Sequence, residues 1–208
     1  MAVRTVLVPR ERFERWVANF ADRHGGGPGI VTEAGGIFGM AQDGSTFHAR
    51  LPFDEQYDGP ADAAEFAGAI SVPADWGLLL VRKGGFAVAR LAGERLVDSK
   101  VGQRHVQGRT KAGGQSQQRF ARRRGNQARQ AYEAAADHAA RLLGEGAPRV
   151  VTGGDHPAVD EVLTDPRLKR LVVDERWLPV QDPRRGVLEQ AILDAGAAQV
   201  QVVNADDE

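Results

Sequence analysis

Cysteine is absent from all 208 residues. That excludes disulfides, thiolate metal sites and a cysteine nucleophile. No run of 18 or more apolar residues occurs either, which argues against a transmembrane helix. The apolar stretch at the amino terminus, residues 3–8, is too short for a signal peptide. A cytoplasmic protein without a cofactor is the simplest expectation. The most telling absence is of one charge sign. Between Asp98 and Glu133 there is no acidic residue, while nine of the 27 Lys and Arg fall there. The net charge of −1 therefore hides one concentrated basic segment, the pattern of a single face directed at a polyanion. A solvated charged helix is the bland alternative, yet ordinary exposed helices mix signs to gain i,i+4 pairs.

What is present suits a globular chain with a proper core: 42% apolar residues and a mean hydropathy of −0.38. Residues 3–8 read as a strand before Pro9. From Arg10 to His24, Phe13, Trp16, Val17, Phe20 and Ala21 recur at helical spacing, and Gly25-Gly26-Gly27-Pro28-Gly29 ends that helix. Two strands follow, near 30–40 and 45–51, joined by Gln42-Asp43-Gly44. The Asp-, Gly-, Ala- and Pro-rich stretch 52–73, with a short helix near 61–69, reads as a boundary. Residues 1–73 would then form a small α+β unit, 74–203 the main domain and 204–208 a tail. The main domain opens with the continuous apolar run Trp76–Val81, typical of a strand covered on both faces. Turns at Lys83-Gly84-Gly85 and Ala92-Gly93-Glu94 lead into strands at 86–91 and 95–101, an antiparallel meander. A loop over about 102–115 precedes a long helix from near Gln117 to Leu143, with Ser116 as its N-cap and Gly144 ending it. Strand, helix, strand, helix and strand are then expected at 149–152, 156–164, 171–173, 186–195 and 198–203. This alternation predicts an α/β fold, a mixed sheet in which a meander joins parallel strand–helix–strand units, with helices on both faces.

The informative stretch runs from Arg109 through Gly113-Gly114-Gln115 to Arg124. Two adjacent glycines allow backbone angles that a Cβ forbids and let the chain approach a partner closely. Gln115 would stand at a loop tip just before the positive end of a helix dipole. Behind it Arg119, Arg122, Arg123 and Arg124 suit RNA phosphates, with Arg109 and Lys111 as further candidates. Alone, Gly-Gly-Gln is a weak signal in a chain with 25 glycines, and a glycine hinge in an arginine-rich hairpin would also produce it.

Extended downstream, the segment Gly113-Gly114-Gln115-Ser116, then Arg119-Phe120-Ala121-Arg122 and Arg124, resembles the catalytic loop and following helix of the eukaryotic and archaeal class of peptide-chain release factors. The order of elements over 74–203 is similar to the whole middle domain of those factors. Residues 1–73 do not resemble their stop-codon-reading domain, and the Asn-Ile-Lys-Ser signature is absent. No sequence follows residue 208 for a GTPase-recruiting domain, and Ala112 stands where the family carries a basic residue. A solitary middle domain of this kind is closer to the Vms-like release factors. The resemblance implies a codon-independent peptidyl-tRNA hydrolase that frees nascent chains from stalled ribosomes or large subunits, with peptidyl-tRNA and rRNA as partners. It assigns the Gln115 backbone N–H to developing charge and its side chain to admitting and orienting water. Gly113 and Gly114 set the loop conformation, and the ribosome supplies the rest of the site. A noncatalytic tRNA- or rRNA-binding module, or an enzyme acting on free tRNA ends, would carry the same basic face.

Other constellations read as structure. Gly153-Gly154-Asp155-His156 turns a strand into a helix and lacks a phosphate-loop lysine. His24, His48, His105, His138 and His156 show no metal-type spacing, and His105 falls at the base of the catalytic loop, where packing or an RNA contact is the simpler role. Trp16, Trp76 and Trp177 read as core or subunit-contact residues. Trp76–Val81 offers no carboxylate for an RNase H-like nuclease.

Overall fold

Strand β1 (Val3–Val8) leads into helix α1 (Arg10–Arg23), whose Phe13, Val17 and Phe20 are buried, the i, i+4, i+7 stripe of a helix with one face on a core. The computed structural model describes residues 2–103, 115–145 and 149–205, the side chains of 103 and 115–128 excepted. Three antiparallel strands follow, β2 (Gly29–Glu33), β3 (Gly36–Met40) and β4 (Thr46–Arg50). The single strand expected over 30–40 is in fact a hairpin, folded at Ala34-Gly35 with φ of 48° and 73°. Two positive φ values are what a tight two-residue hairpin turn requires. Alanine rarely takes the first of them, so composition carried no cue. Helix α2 (Ala63–Ala69) begins where the Asp62 carboxylate accepts from the backbone N–H of Ala64 at 2.8 Å and of Glu65 at 3.0 Å. Such a cap contributes about 1 kcal/mol.

The second sheet is built from β5 (Trp76–Arg82), β6 (Gly85–Ala92), β7 (Arg95–Gln103), β8 (Arg149–Gly154) and β9 (Val172–Leu178), in the order β7-β6-β5-β8-β9. The expected meander is present, β8 runs parallel to β5, and β9 parallel to β8. Helices α3 (Gln115–Leu143), α4 (His156–Leu163) and α5 (Arg185–Ala195) complete it. On one face Leu79, Val81, Val88 and Val150 pack with Ala135, Ala139 and Leu143 of α3 and Val159 and Val162 of α4. Leu78, Leu80, Ala89 and Val151, pointing the other way, are buried as well. There Arg185, the first residue of α5, donates to Ser99 Oγ on β7 at 3.4 Å. Both faces of the mixed sheet thus carry helices.

Three sequence expectations are corrected in this unit. Strand β9 continues to Leu178, well beyond 173, because the charged run Asp174-Glu175-Arg176 sits on an edge strand at an irregularity in its pairing with β8. Edge strands carry charge without leaving the sheet. Helical backbone is already present at Gln115, so Ser116 lies inside α3 and does not cap it. No proline or β-branched residue in Gln115–Gln118 opposes that extension.

The third correction concerns the domain boundary. Strand β10 (Ala198–Val203), expected in the main domain of 74–203, inserts between β1 and β4 in the first sheet, whose order is β1-β10-β4-β3-β2 and whose pairings are all antiparallel. One unit therefore comprises Met1–Val72 with Leu193–Glu208, and the other Pro73–Ile192. Ala198 and Val200 join Phe13, Ile37, Phe47 and Phe66 in the core of the first unit. The chain leaves this unit at residue 72 and returns to it at 193. No helix among the described residues is long and apolar enough to cross a membrane.

Candidate nucleic-acid interface

The position of α3 over its sheet decides where the amino-terminal half of the helix emerges. Near the carboxyl end of the helix, Leu143 lies over Gly77, where any added Cβ would strike it. Gly77 pairs with Arg90, so this contact marks the end of the sheet where β5 begins. Arg141 donates to Asp98 at 3.2 Å, tying the same turn of helix to β7. Five residues earlier than Leu143, His138 stacks on Phe86, with ring centroids 5.6 Å apart and planes 28° apart. Phe86 pairs with Val81 and with Gly102, which marks the opposite end, where β5 and β7 finish. Burial is the main cause that holds the His138 imidazole below its ordinary pKa, with Lys100 and Arg141 adding to it. Tyr132, a turn and a half further back, lies in the field of Asp155 and Glu161, although burial is the first cause of its raised pKa. Asp155 directly follows β8, and its N–H donates to the Val81 carbonyl at 2.9 Å.

Helix α3 therefore crosses the end of the sheet between His138 and Tyr132. At 1.5 Å per residue the stretch 115–130 continues for roughly 24 Å beyond it. Strand β7 ends at Gln103 on that same side.

Each candidate residue has a definite place in this arrangement. Gln115, Arg119, Arg122, Arg123 and Arg124 lie on the outrunning half of α3. In a helix, positions 119, 122 and 123 are i, i+3, i+4 neighbours, so one face holds three guanidinium-bearing residues. Gly113, Gly114, Arg109, Lys111 and His105 lie outside the described residues. Three further cationic residues, Arg82, Lys83 and Arg184, occur at turns with no motif in the sequence to mark them. Arg82 ends β5 and donates to the Val180 carbonyl at 2.8 Å. With Asp182, Arg184 and Val187 it lines a cavity of about 430 Å³.

The remaining sequence candidates have structural work. A Cβ on Gly153 would meet the Leu178 carbonyl oxygen, and one on Gly154, at φ 106°, the Val81 carbonyl oxygen. These glycines let β8 lie close between β5 and β9 and form a turn, as expected. Trp76 is buried and its indole N–H donates to the Gly93 carbonyl at 2.9 Å. Trp177 stacks on His156 with centroids 3.5 Å apart. His24 meets Asp43 at 2.8 Å, and His48 is held below its ordinary pKa chiefly by burial. Among the described residues no three His, Asp or Glu are grouped as a metal site.

The sequence model of the Actinobacteria/chloroflexi VLRF1 release factor, acVLRF1, matches residues 74–201, more than half of the chain. No curated protein matches it. Among solved structures, an archaeal translation termination factor, aRF1, is similar at 14% identity and a TM-score of 0.43, over 76% of this chain and 48% of that one. The chain spans about half the length of that factor. On the match over 74–201, the chain belongs to the Actinobacteria/chloroflexi VLRF1 release factor family.

Proposed function

We propose that the protein is a codon-independent peptidyl-tRNA hydrolase that frees nascent chains from stalled ribosomes or large subunits, with peptidyl-tRNA and rRNA as its partners. The observation that carries this reading is the placement of Gln115. It opens a helix that runs roughly 24 Å past its sheet, directly after two glycines, in a chain of the VLRF1 release factor family. An outrunning helix suits delivery of a loop into a recess of a larger particle.

The reaction is hydrolysis of the ester between the nascent peptide and the terminal ribose of tRNA. Water adds to the carbonyl carbon, the ribose oxygen leaves with one of the water's protons, and the peptide departs as a carboxylate while the other proton passes to solvent. Glutamine has no basic group at neutral pH, so its side chain acts by orienting water, through one acceptor oxygen and two donor hydrogens. A residue opening a helix has a backbone N–H uncommitted within that helix. Such a preorganised donor, aimed at the developing oxyanion, is worth about 3–4 kcal/mol in other hydrolases. Gly113 and Gly114 let the backbone reach the angles this requires. Arg109, Lys111, Arg119, Arg122, Arg123 and Arg124 hold RNA phosphates by charge-assisted hydrogen bonds.

The decisive experiment measures peptide release from stalled large subunits, from intact stalled ribosomes and from free peptidyl-tRNA, with wild type and Gln115→Ala. Release from a ribosomal particle that Gln115→Ala loses supports the proposal. Equal release by both proteins overturns the assignment of Gln115, and release from free peptidyl-tRNA alone overturns the ribosomal target.

A further inference from the structure

The first unit contains a groove of about 430 Å³ between the carboxyl-terminal half of α1 and the strands β1 and β10, with Val202 and Asn204 on the β10 side. Arg4 of β1 lines one side, and Trp16, Asn19, Phe20, Arg23 and His24 line the other. Those positions form one helical stripe, since residues three, four and seven apart share a face. Helix α1 precedes the segment 74–201 that the family match covers, and the release chemistry uses none of these residues.

Three features limit what this groove can take. Its charged lining is cationic: Arg4 and Arg23, without a carboxylate. Neither Arg4 nor Arg23 forms an ion pair among the described residues. The acid that His24 meets, Asp43, is engaged by that ring at 2.8 Å and by the Ser45 backbone N–H at 2.8 Å. Secondly, the wall is aromatic. Trp16 lies 5.7 Å from Phe20, with ring planes 18° apart, and the His24 ring is 4.5 Å from that of Phe20. Thirdly, two of the last four carbonyls of α1 are taken, those of Phe20 and Ala21 accepting from the N–H groups of His24 and Gly26, so these two do not face an incoming anion as bare acceptors.

We propose that this groove binds one nucleotide of single-stranded RNA, its base against Trp16 and its phosphate between Arg4 and Arg23. Aromatic side chains beside a cationic track are the means by which proteins hold single strands, because every base has a π face and every link a phosphate. Asn19 adds an amide that can pair with a base edge. A lipid headgroup or a phosphorylated side chain would use the guanidiniums and leave the aromatic wall idle. The volume accommodates a splayed nucleotide. The inference does not depend on hydrolysis at Gln115.

The test uses the full chain and a hexanucleotide RNA carrying 5-iodouridine, with affinity read by fluorescence anisotropy and photo-crosslinks mapped by mass spectrometry. The Arg122→Glu/Arg123→Glu background removes competing contacts on α3. Expected are crosslinks to Trp16, Phe20 or His24, and at least tenfold weaker binding on adding Arg4→Glu and Arg23→Glu. Trp16→Phe, which keeps an aromatic ring among Phe13, Phe20 and Phe47, should reduce crosslinking, with the melting temperature as the check on folding. Unchanged affinity after the charge reversals, or crosslinks confined to the second unit, would overturn the proposal. If the double reversal unfolds the protein, Arg23→Gln on the exposed end of α1 decides the same point. Displacement by AMP as effective as by unlabelled hexanucleotide would also overturn it, assigning the groove to free nucleotides.

Discussion

Leu143 of α3 packs directly on the backbone of Gly77 in β5, with no room for a Cβ between them. The contact anchors the carboxyl end of a 29-residue helix at one end of its sheet, and so sends the amino-terminal half out beyond the other. Leu143→Ala removes a fully buried side chain from this anchor. The expected loss is about 2–5 kcal/mol of stability, from reduced burial and the cavity left behind. Urea denaturation measures it, and a change under about 1 kcal/mol would show that the helix is held elsewhere.

Asp165 ties the turn after α4 to the base of α3. Its carboxylate accepts from the Arg167 guanidinium, which also reaches Asp137 of α3 at 2.7 Å. The side-chain hydrogen bond from Arg167 is the first cause that lowers the Asp165 pKa to about 2 from an ordinary 3.8. A depressed folded-state pKa means that the unfolded chain takes up the proton first as pH falls. The stabilisation is complete above about pH 4, declines below the unfolded value and is gone near pH 2. Asp165→Asn should therefore lower the melting temperature at neutral pH, and the difference from wild type should vanish on acidification to about pH 2. A difference that persists there would assign the effect to the cap on the Arg167 N–H and not to charge.

Gly114→Ala should abolish peptide release from stalled large subunits while ribosome binding persists, because the added Cβ restricts the backbone before Gln115. Full release by this variant would remove the conformational basis of the proposed mechanism.

Arg122→Glu with Arg123→Glu should weaken cosedimentation with large subunits and flatten its dependence on salt. For every phosphate no longer neutralised, the slope of log K against log salt falls by about 0.7–0.9. An identical salt profile would make these arginines a solvated face.

Much of the fold was legible because it is local. The stripe Phe13, Val17, Phe20 fixes which face of α1 turns inward, and the unbroken run Trp76–Val81 signals a strand covered twice. Gly-Gly-Gln followed by arginines on helical repeats marks the candidate site. Less legible were features that depend on a neighbour. A hairpin at Ala34-Gly35 requires alanine at a positive φ, which tertiary contacts stabilise and composition does not reveal. The charges of Asp174-Glu175-Arg176 conceal a strand that pairs on one side only.

By itself, the sequence determined the helical and extended segments, the acid-free basic stretch and the position of its glycines, because each follows from side chains close along the chain. The tertiary structure alone decided which strands pair and where α3 leaves its sheet. Ala198–Val203 would serve either sheet by its alternation, since backbone hydrogen bonds are the same for every sequence. It joins β1 and β4 because Ala198 and Val200 complete the apolar core beneath α1. Likewise, it is the packing of Leu143 on Gly77 and of His138 on Phe86 that carries the amino-terminal half of α3 beyond the sheet, a direction no local pattern contains.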